Sequence, residues 1–135
     1  MRTTEEPTGS RDDVELSVFY GSAHTLVKLR GEIDVATAPG LRERLFGLLR
    51  RGSALVILDL SGVPFCDASG LGMLVGSHRH ATTLGVTLRL TALRPRVARL
   101  VYINGMDRVL SIYPAPLTWH GARDRRPQPR VRACR

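Results

Sequence analysis

The stretch with the clearest chemical potential is Val63–Gly72, whose sequence is VPFCDASGLG. Within it, Asp67 and Ser69 stand among small residues, between an apolar run at Ala54–Leu60 and a segment with helical spacing. A loop of small residues there places both side chains at the first turn of a helix, where backbone N–H groups and the helix dipole attract an anion. The Ser69 hydroxyl is therefore predicted either to cap the helix or to accept a phosphate, and the spacing alone leaves both roles open.

Few other groups in the sequence could do chemistry. Asp34 and Asp67 could act as paired carboxylates in acid–base catalysis, but the sequence offers no metal-ligand cluster, phosphate-binding glycine loop or activated nucleophile beside them. Cys66 belongs to no CxxC unit and is expected to be a small buried hydrophobe. His78 and His80 lie two residues apart on a predicted helix, so they face different sides and cannot chelate together. We therefore expect no enzyme activity, no cofactor and no metal site.

The composition predicts one soluble domain. The chain has 135 residues, of which 43% are hydrophobic and 24% are charged, and aromatic residues are scarce at 5%. Such a chain can bury a modest core without disulfides. Its longest apolar run falls far short of the roughly 20 residues that span a membrane, and its N-terminus lacks the apolar core of a signal peptide. We expect a cytoplasmic protein that does not contact membranes.

The net charge of +8 is concentrated near the C-terminus. Residues 121–135 contain six arginines and one aspartate, which is +5 and leaves +3 for the other residues. The domain itself is therefore not strongly basic, and we expect no direct specific binding of nucleic acid. A solvated tail is the simpler interpretation, and contact of the tail with nucleic acid or an acidic partner is the alternative.

The elements that position Ser69 follow from the hydrophobic periodicity. Strands are predicted at residues 16–20, 25–30, 54–60, 86–90 and 109–113, with a helix after each of the second, third and fourth strands. This order predicts an α/β domain with a mixed sheet of four to five strands, parallel crossovers and helices packed against it. Strand 54–60 is apolar on both faces, which is expected of a central strand that is covered or flanked by helices.

Details of the helices and domain limits follow from the same reading. Thr37 is a predicted N-cap, with Pro39 in the first turn of the helix that follows. On the next helix, the residues that recur at helical spacing are Leu71, Leu74, Val75, His78 and Thr82, with His78 expected at the margin of the core and His80 in solvent. Residues 1–13 are predicted to be a disordered tail, 14–118 a single domain, and 119–135 a disordered tail rich in arginine and proline.

Three segments of the chain resemble the STAS domain, and within it the bacterial anti-sigma factor antagonists. They are GEID at 31–34, DASGLG at 67–72 after a buried strand, and RPRVARL followed by NGMDRVLSIY within 94–113. They occur in the family's order and spacing across about residues 14–115. The resemblance implies a STAS-type α/β fold and a regulatory serine at the start of the second long helix.

The resemblance also implies roles for individual residues. Ser69 matches the phosphorylated serine, and its partner would be an anti-sigma factor with serine kinase activity, whose binding releases a sigma factor. The residues matched to partner binding are Asp34, Asp67, Ala68, Gly70, Leu71 and Gly72. Ala68 stands where many members carry a second serine, so Ser69 is the only acceptor in this loop.

Other partners and modes of action stay open at this point. The sequence leaves open whether a serine phosphatase resets Ser69, and its polar helix faces predict a monomer. The alternative function within the same fold is a STAS scaffold or small-ligand sensor that binds its partners without phosphorylation.

Overall fold

A six-stranded sheet and three helices make up the part of the chain that the computed structural model describes, residues 2–6, 14–51 and 53–113. In chain order the elements are β1 (Arg2–Glu6), β2 (Glu15–Tyr20), β3 (Thr25–Arg30), α1 (Ala38–Leu49), β4 (Leu55–Gly62), α2 (Ala68–Thr83), β5 (Thr87–Thr91), α3 (Pro95–Ile103), a 3₁₀ turn (Met106–Arg108) and β6 (Ser111–Ile112). The predicted C-terminal tail lies outside the described residues, as do residues 114–118 of the predicted domain.

The strands follow one another across the sheet in sequence order. Strands β1, β2 and β3 pair antiparallel, whereas β3, β4, β5 and β6 run parallel and are joined by crossovers that contain the helices. The predicted mixed sheet with parallel crossovers is confirmed, and β2–β6 are its five predicted strands. No helix in the described residues is long and apolar enough to cross a membrane.

The N-terminal segment differs from its prediction. Residues 1–13 are predicted to be a disordered tail, but Arg2–Glu6 form strand β1, paired antiparallel with β2 from Arg2–Tyr20 to Glu6–Leu16. The strand satisfies backbone groups that would otherwise be unpaired along the edge of β2. Hydropathy misses it because a polar edge strand gains its stability from backbone pairing rather than from an apolar face.

The core lies on one face of the sheet. Residues Val18, Val27, Leu58 and Leu90 stand in register across four strands, and all are at most 1% exposed. All three helices contribute buried residues to the same cluster. On the other face of β4, Ile57 is half-buried, so the helices flank this central strand mainly from the core side.

The buried stripe of α2 is also shifted from its prediction. Its buried residues are Gly70, Leu71, Met73, Leu74, Ser77 and Ala81. Thr82, which the helical spacing groups with the core residues, is exposed, whereas His78 is half-buried, as expected at the margin of the core. Three of these residues, Gly70, Ser77 and Ala81, are small, so a pattern of large apolar side chains does not predict that they are buried.

An aromatic stack joins the outer sides of α1 and α2. The rings of Phe46 and His80 lie 4.0 Å apart between centroids and are nearly parallel. The Arg42 guanidinium carbon lies 5.2 Å from the centroid of the Phe46 ring. This contact holds the two helices together near the C-terminal end of α2, away from Ser69 on its first turn. His80 is half-buried, although the sequence predicts that it lies in solvent.

The parallel strands give the sheet two different edges. We call the connections that leave the strands, residues 31–37, 63–67 and 92–94, the carboxyl edge. The connections that enter them, together with the last residue of α3, form the amino edge, residues 50–51, 84–86 and 103–110. Because β3, β4 and β5 run in the same direction, the loops of the carboxyl edge come together at one end of the domain.

Candidate functional site

The loop before Ser69 is joined directly to the GEID loop. Ile33 and Cys66 form an isolated parallel β-bridge beyond the ends of β3 and β4. The Ile33 N–H donates to the Phe65 carbonyl at 3.1 Å, and the Asp67 N–H donates to the Ile33 carbonyl at 3.1 Å. These bonds bring the two predicted site loops, which carry Asp34 and Asp67, side by side.

Ser69 is exposed on the first turn of α2, as the sequence predicts. The cap of this helix is Asp67, whose carboxylate accepts the Gly70 N–H at 3.0 Å. The Asp67 carbonyl accepts the Leu71 N–H at 2.9 Å, which closes the first turn. Ser69 is therefore not the capping residue, and its side chain lies on a turn whose backbone is already fixed.

Gly70 allows α2 to approach the GEID loop closely. A Cβ atom at this position would lie 2.7 Å from the Ile33 carbonyl oxygen and 2.7 Å from the Cys66 sulfur. Both distances are shorter than real Cβ contacts allow, and one neighbour is backbone, which cannot swing away. The absence of a side chain at Gly70 thus positions the whole first turn, including Ser69, against Ile33.

Asp34 organises the turn that precedes α1. Its carboxylate accepts the N–H groups of Ala36 at 3.0 Å and Thr37 at 3.1 Å. Thr37 occupies the N-cap position, but its side chain does not cap the helix. Instead, its hydroxyl accepts the Asp34 N–H and donates to the Glu32 carbonyl, so the predicted Thr37 cap is replaced by an Asp34 turn.

Cys66 is a structural residue of this site. It is 7% exposed, and its thiol donates to the Asp67 carbonyl at 3.6 Å. Burial, and secondarily the negative charge of Asp67, raises the pKa of the Cys66 thiol to about 12. The thiol therefore stays protonated at neutral pH and is a poor nucleophile. The prediction that Cys66 is a small buried hydrophobe is confirmed.

The predicted site residues separate into two groups. Asp34 and Asp67 are half-buried, and Ala68, Ser69 and Gly72 are exposed. Gly70 and Leu71 are buried, so direct contact with a partner does not fit them. Their role is to seat the helix on the core. No three His, Cys, Asp or Glu side chains within the described ranges are grouped so that they could hold a metal ion.

Three residues at this site are missing from the sequence prediction. Ile33 is fully buried and forms the seat of Gly70. Val35 and Phe65 are large apolar residues in the two loops, yet they are 71% and 37% exposed. The available signal was a second large apolar residue in each loop, after Ile33 in one and after Val63 in the other, and such a residue on its own also fits the core.

The sequence of the chain matches a known domain family and known proteins. The STAS domain family matches residues 17–116. An anti-sigma-B factor antagonist of Bacillus subtilis is 40% identical over 100 residues, which are 74% of this chain and 91% of that protein.

Solved structures share the fold. A crystal structure of an anti-sigma factor antagonist from Mycobacterium paratuberculosis has a TM-score of 0.69 and 23% identity, with 85% of this chain and 97% of that chain covered. The structure of the Bacillus cell fate determinant SpoIIAA in its phosphorylated form has a TM-score of 0.56 and 18% identity, with 82% and 99% covered.

Proposed function

The chain belongs to the STAS domain family, and within it to the anti-sigma factor antagonists, and from this membership we propose a phosphorylation switch at Ser69. Unphosphorylated protein binds an anti-sigma factor that is also a serine kinase, and the bound anti-sigma factor releases its sigma factor. Phosphorylation of Ser69 ends the binding. The observation that supports this most directly is the exposed Ser69 on a first turn whose backbone is already capped by Asp67.

The local charges explain why such a switch acts on the partner rather than on the fold. A phosphate adds about −1.5 to −2 charge at neutral pH. At the N-terminus of α2 the helix dipole stabilises that charge by roughly 0.3–1 kcal/mol. The phosphate has no core to disrupt, because Ser69 is exposed. A docked partner would have to bury it beside Asp67, and a coupling of about 3 kcal/mol would weaken binding on the order of a hundredfold.

The role is regulatory, without catalysis by this chain. The kinase transfers the phosphoryl group from ATP to the Ser69 hydroxyl. Asp34 and Asp67, on the adjoining loops, help the kinase dock. The protonated Cys66 thiol suits a packing role. Such a switch belongs in the cytoplasm, where sigma factors meet RNA polymerase, and a serine phosphatase would return the protein to its binding form.

The test uses three variants of the full chain as bait and then as purified proteins. Ser69→Ala should bind the host anti-sigma factor constitutively, and Ser69→Asp should bind it on the order of a hundredfold more weakly. Ser61→Ala is the matched control, because Ser61 is another exposed serine close to the same edge. With the purified kinase and ATP, phosphate should appear on wild type and Ser61→Ala but not on Ser69→Ala.

Two outcomes would contradict the proposal. Phosphate on Ser61 or any other residue would overturn the assignment of Ser69. Equal affinity of wild type and Ser69→Asp for the anti-sigma factor, with no phosphate on protein isolated from the host, would favour the scaffold or ligand-sensing alternative.

A further inference from the structure

Two exposed apolar side chains flank the loop that carries Ser69. Val35 is 71% exposed and Phe65 is 37% exposed, and we call them the Val35–Phe65 pair. Val35 lies two residues after Ile33, and Phe65 directly precedes Cys66. Because Ile33 and Cys66 are bridged, Phe65 lies level with Glu32 on the neighbouring segment, and Val35 lies in the turn that follows the bridge.

Hydrogen bonds hold the backbone around each of these two residues. Val35 precedes Ala36 and Thr37, whose N–H groups are both held by the Asp34 carboxylate. The Phe65 carbonyl is held by the N–H of Ile33. Neither side chain can be buried by a small loop movement, since these hydrogen bonds would have to break first.

Ser69 is fixed close to the same bridge. Gly70, the next residue, packs so tightly on Ile33 and Cys66 that it has no room for a Cβ atom. Val35, Phe65 and Ser69 therefore all lie within three residues of the Ile33–Cys66 bridge at the carboxyl edge. This edge combines exposed apolar area with a modifiable hydroxyl.

We propose that the Val35–Phe65 pair forms the apolar contact through which the anti-sigma factor binds the unphosphorylated protein. This inference rests on the proposed function, and it assigns the partner an uncharged apolar surface opposite the pair. Burial of the pair requires removal of water from its surroundings, and a phosphate on Ser69 resists that removal because buried charges are costly without a partner charge. The phosphate thus acts by keeping the pair hydrated, and the serine hydroxyl itself contributes little affinity.

The molecule provides matched controls at its amino edge. Ile103 is 71% exposed, the same as Val35, and Leu84 is 41% exposed, close to Phe65. These controls lie about 17 Å or more from the pair, the length of a five-residue strand. Their replacement removes similar apolar surface far from Ser69.

The experiment measures the affinity of full-length variants for the purified host anti-sigma factor identified with Ser69→Ala. Val35→Asn and Phe65→Ser should each weaken binding about tenfold, whereas Ile103→Asn and Leu84→Ser should change it less than about twofold. Melting temperatures of all four variants identify any that fail to fold. Phe65→Leu, which keeps an apolar side chain, should bind more tightly than Phe65→Ser.

A double-mutant cycle tests the mechanism itself. In the Ser69→Asp background, Val35→Asn should cost less than about threefold, because the pair is already hydrated there. Equal losses from Val35→Asn and Ile103→Asn, while Ser69→Asp still weakens binding, would overturn this inference and leave the switch intact. Unchanged binding by Ser69→Asp would instead overturn the proposed function.

Discussion

The two edges of the sheet expose similar apolar side chains in very different surroundings. Val35 at the carboxyl edge and Ile103 at the amino edge are both 71% exposed. Val35 lies in a loop bonded to its neighbour through Ile33 and Cys66, whereas Ile103 ends α3 and leads into a turn at Gly105. Exposed area alone therefore does not identify a binding surface, and loop organisation separates the two edges.

The edges also differ in charge. The charged residues of the carboxyl edge are Glu32, Asp34, Asp67 and Arg94, and those of the amino edge are Arg50, Arg51, Asp107 and Arg108. Helices α1 and α2 begin at the acidic edge and end at the basic one, so both sets of charges favour the helix dipoles. A phosphate on Ser69 would add negative charge to an edge that is already acidic. The N-termini of α1 and α2, which lie at this edge, stabilise negative charge there. This arrangement favours an effect on the partner over an effect on the fold.

Glycine substitutions should produce the largest difference in stability between the edges. Gly70→Ala should lower the free energy of unfolding by about 1–3 kcal/mol, because its methyl group meets the Ile33 carbonyl. At the amino edge, Gly85 has a positive φ of 76°, but a Cβ atom added there would meet open space. Gly85→Asn should therefore change stability by less than about 1 kcal/mol. Urea unfolding measures both, and equal losses would contradict the close approach at Gly70.

Removal of the helix cap should have the next largest effect. Asp67→Ala should cost about 1 kcal/mol of unfolding free energy, because the Gly70 N–H loses its acceptor. Asp67→Asn should retain most of the stability, since its amide oxygen can still accept. At the amino edge, Arg108→Ala should change stability by less than about 0.5 kcal/mol. A loss for Asp67→Asn as large as that for Asp67→Ala would show that charge, not capping, holds this turn.

The smallest effect is expected from His78, on α2 between the two edges. Burial, with a smaller contribution from the charge of Arg79, lowers the pKa of His78 below its usual 6.5, although a hydrogen bond with the Leu88 backbone opposes the shift. As the pH falls below 6.5, the unfolded chain binds a proton that the folded chain resists, so stability present at pH 7 is lost.

The melting temperature should therefore fall between pH 7 and 5.5, and less so in His78→Gln. If His78→Gln loses as many degrees as wild type over this range, the acid sensitivity arises elsewhere, for example at the carboxylates of the acidic edge.

Much of the site follows from local patterns. Alternating apolar residues locate β3, and the small residues before Leu71 locate the start of α2 with Ser69 on its first turn. These features depend on periodicity and capping, which neighbouring residues decide. The N-cap of α1 does not follow from the sequence in this way. Thr37 has the residue type of a cap, but Asp34, three residues earlier, accepts the backbone N–H groups of the turn.

The sequence by itself determined the order of strands and helices from β2 to β6, the family and the position of Ser69 on a helix start, but it missed the edge strand β1. Only the tertiary structure decided that Ile33 meets Cys66, that Gly70 is a point of close approach, and that Val35 and Phe65 stay exposed in the two loops that this bridge joins. These contacts join segments about 30 residues apart, so they depend on the register of β3 against β4 rather than on any local pattern.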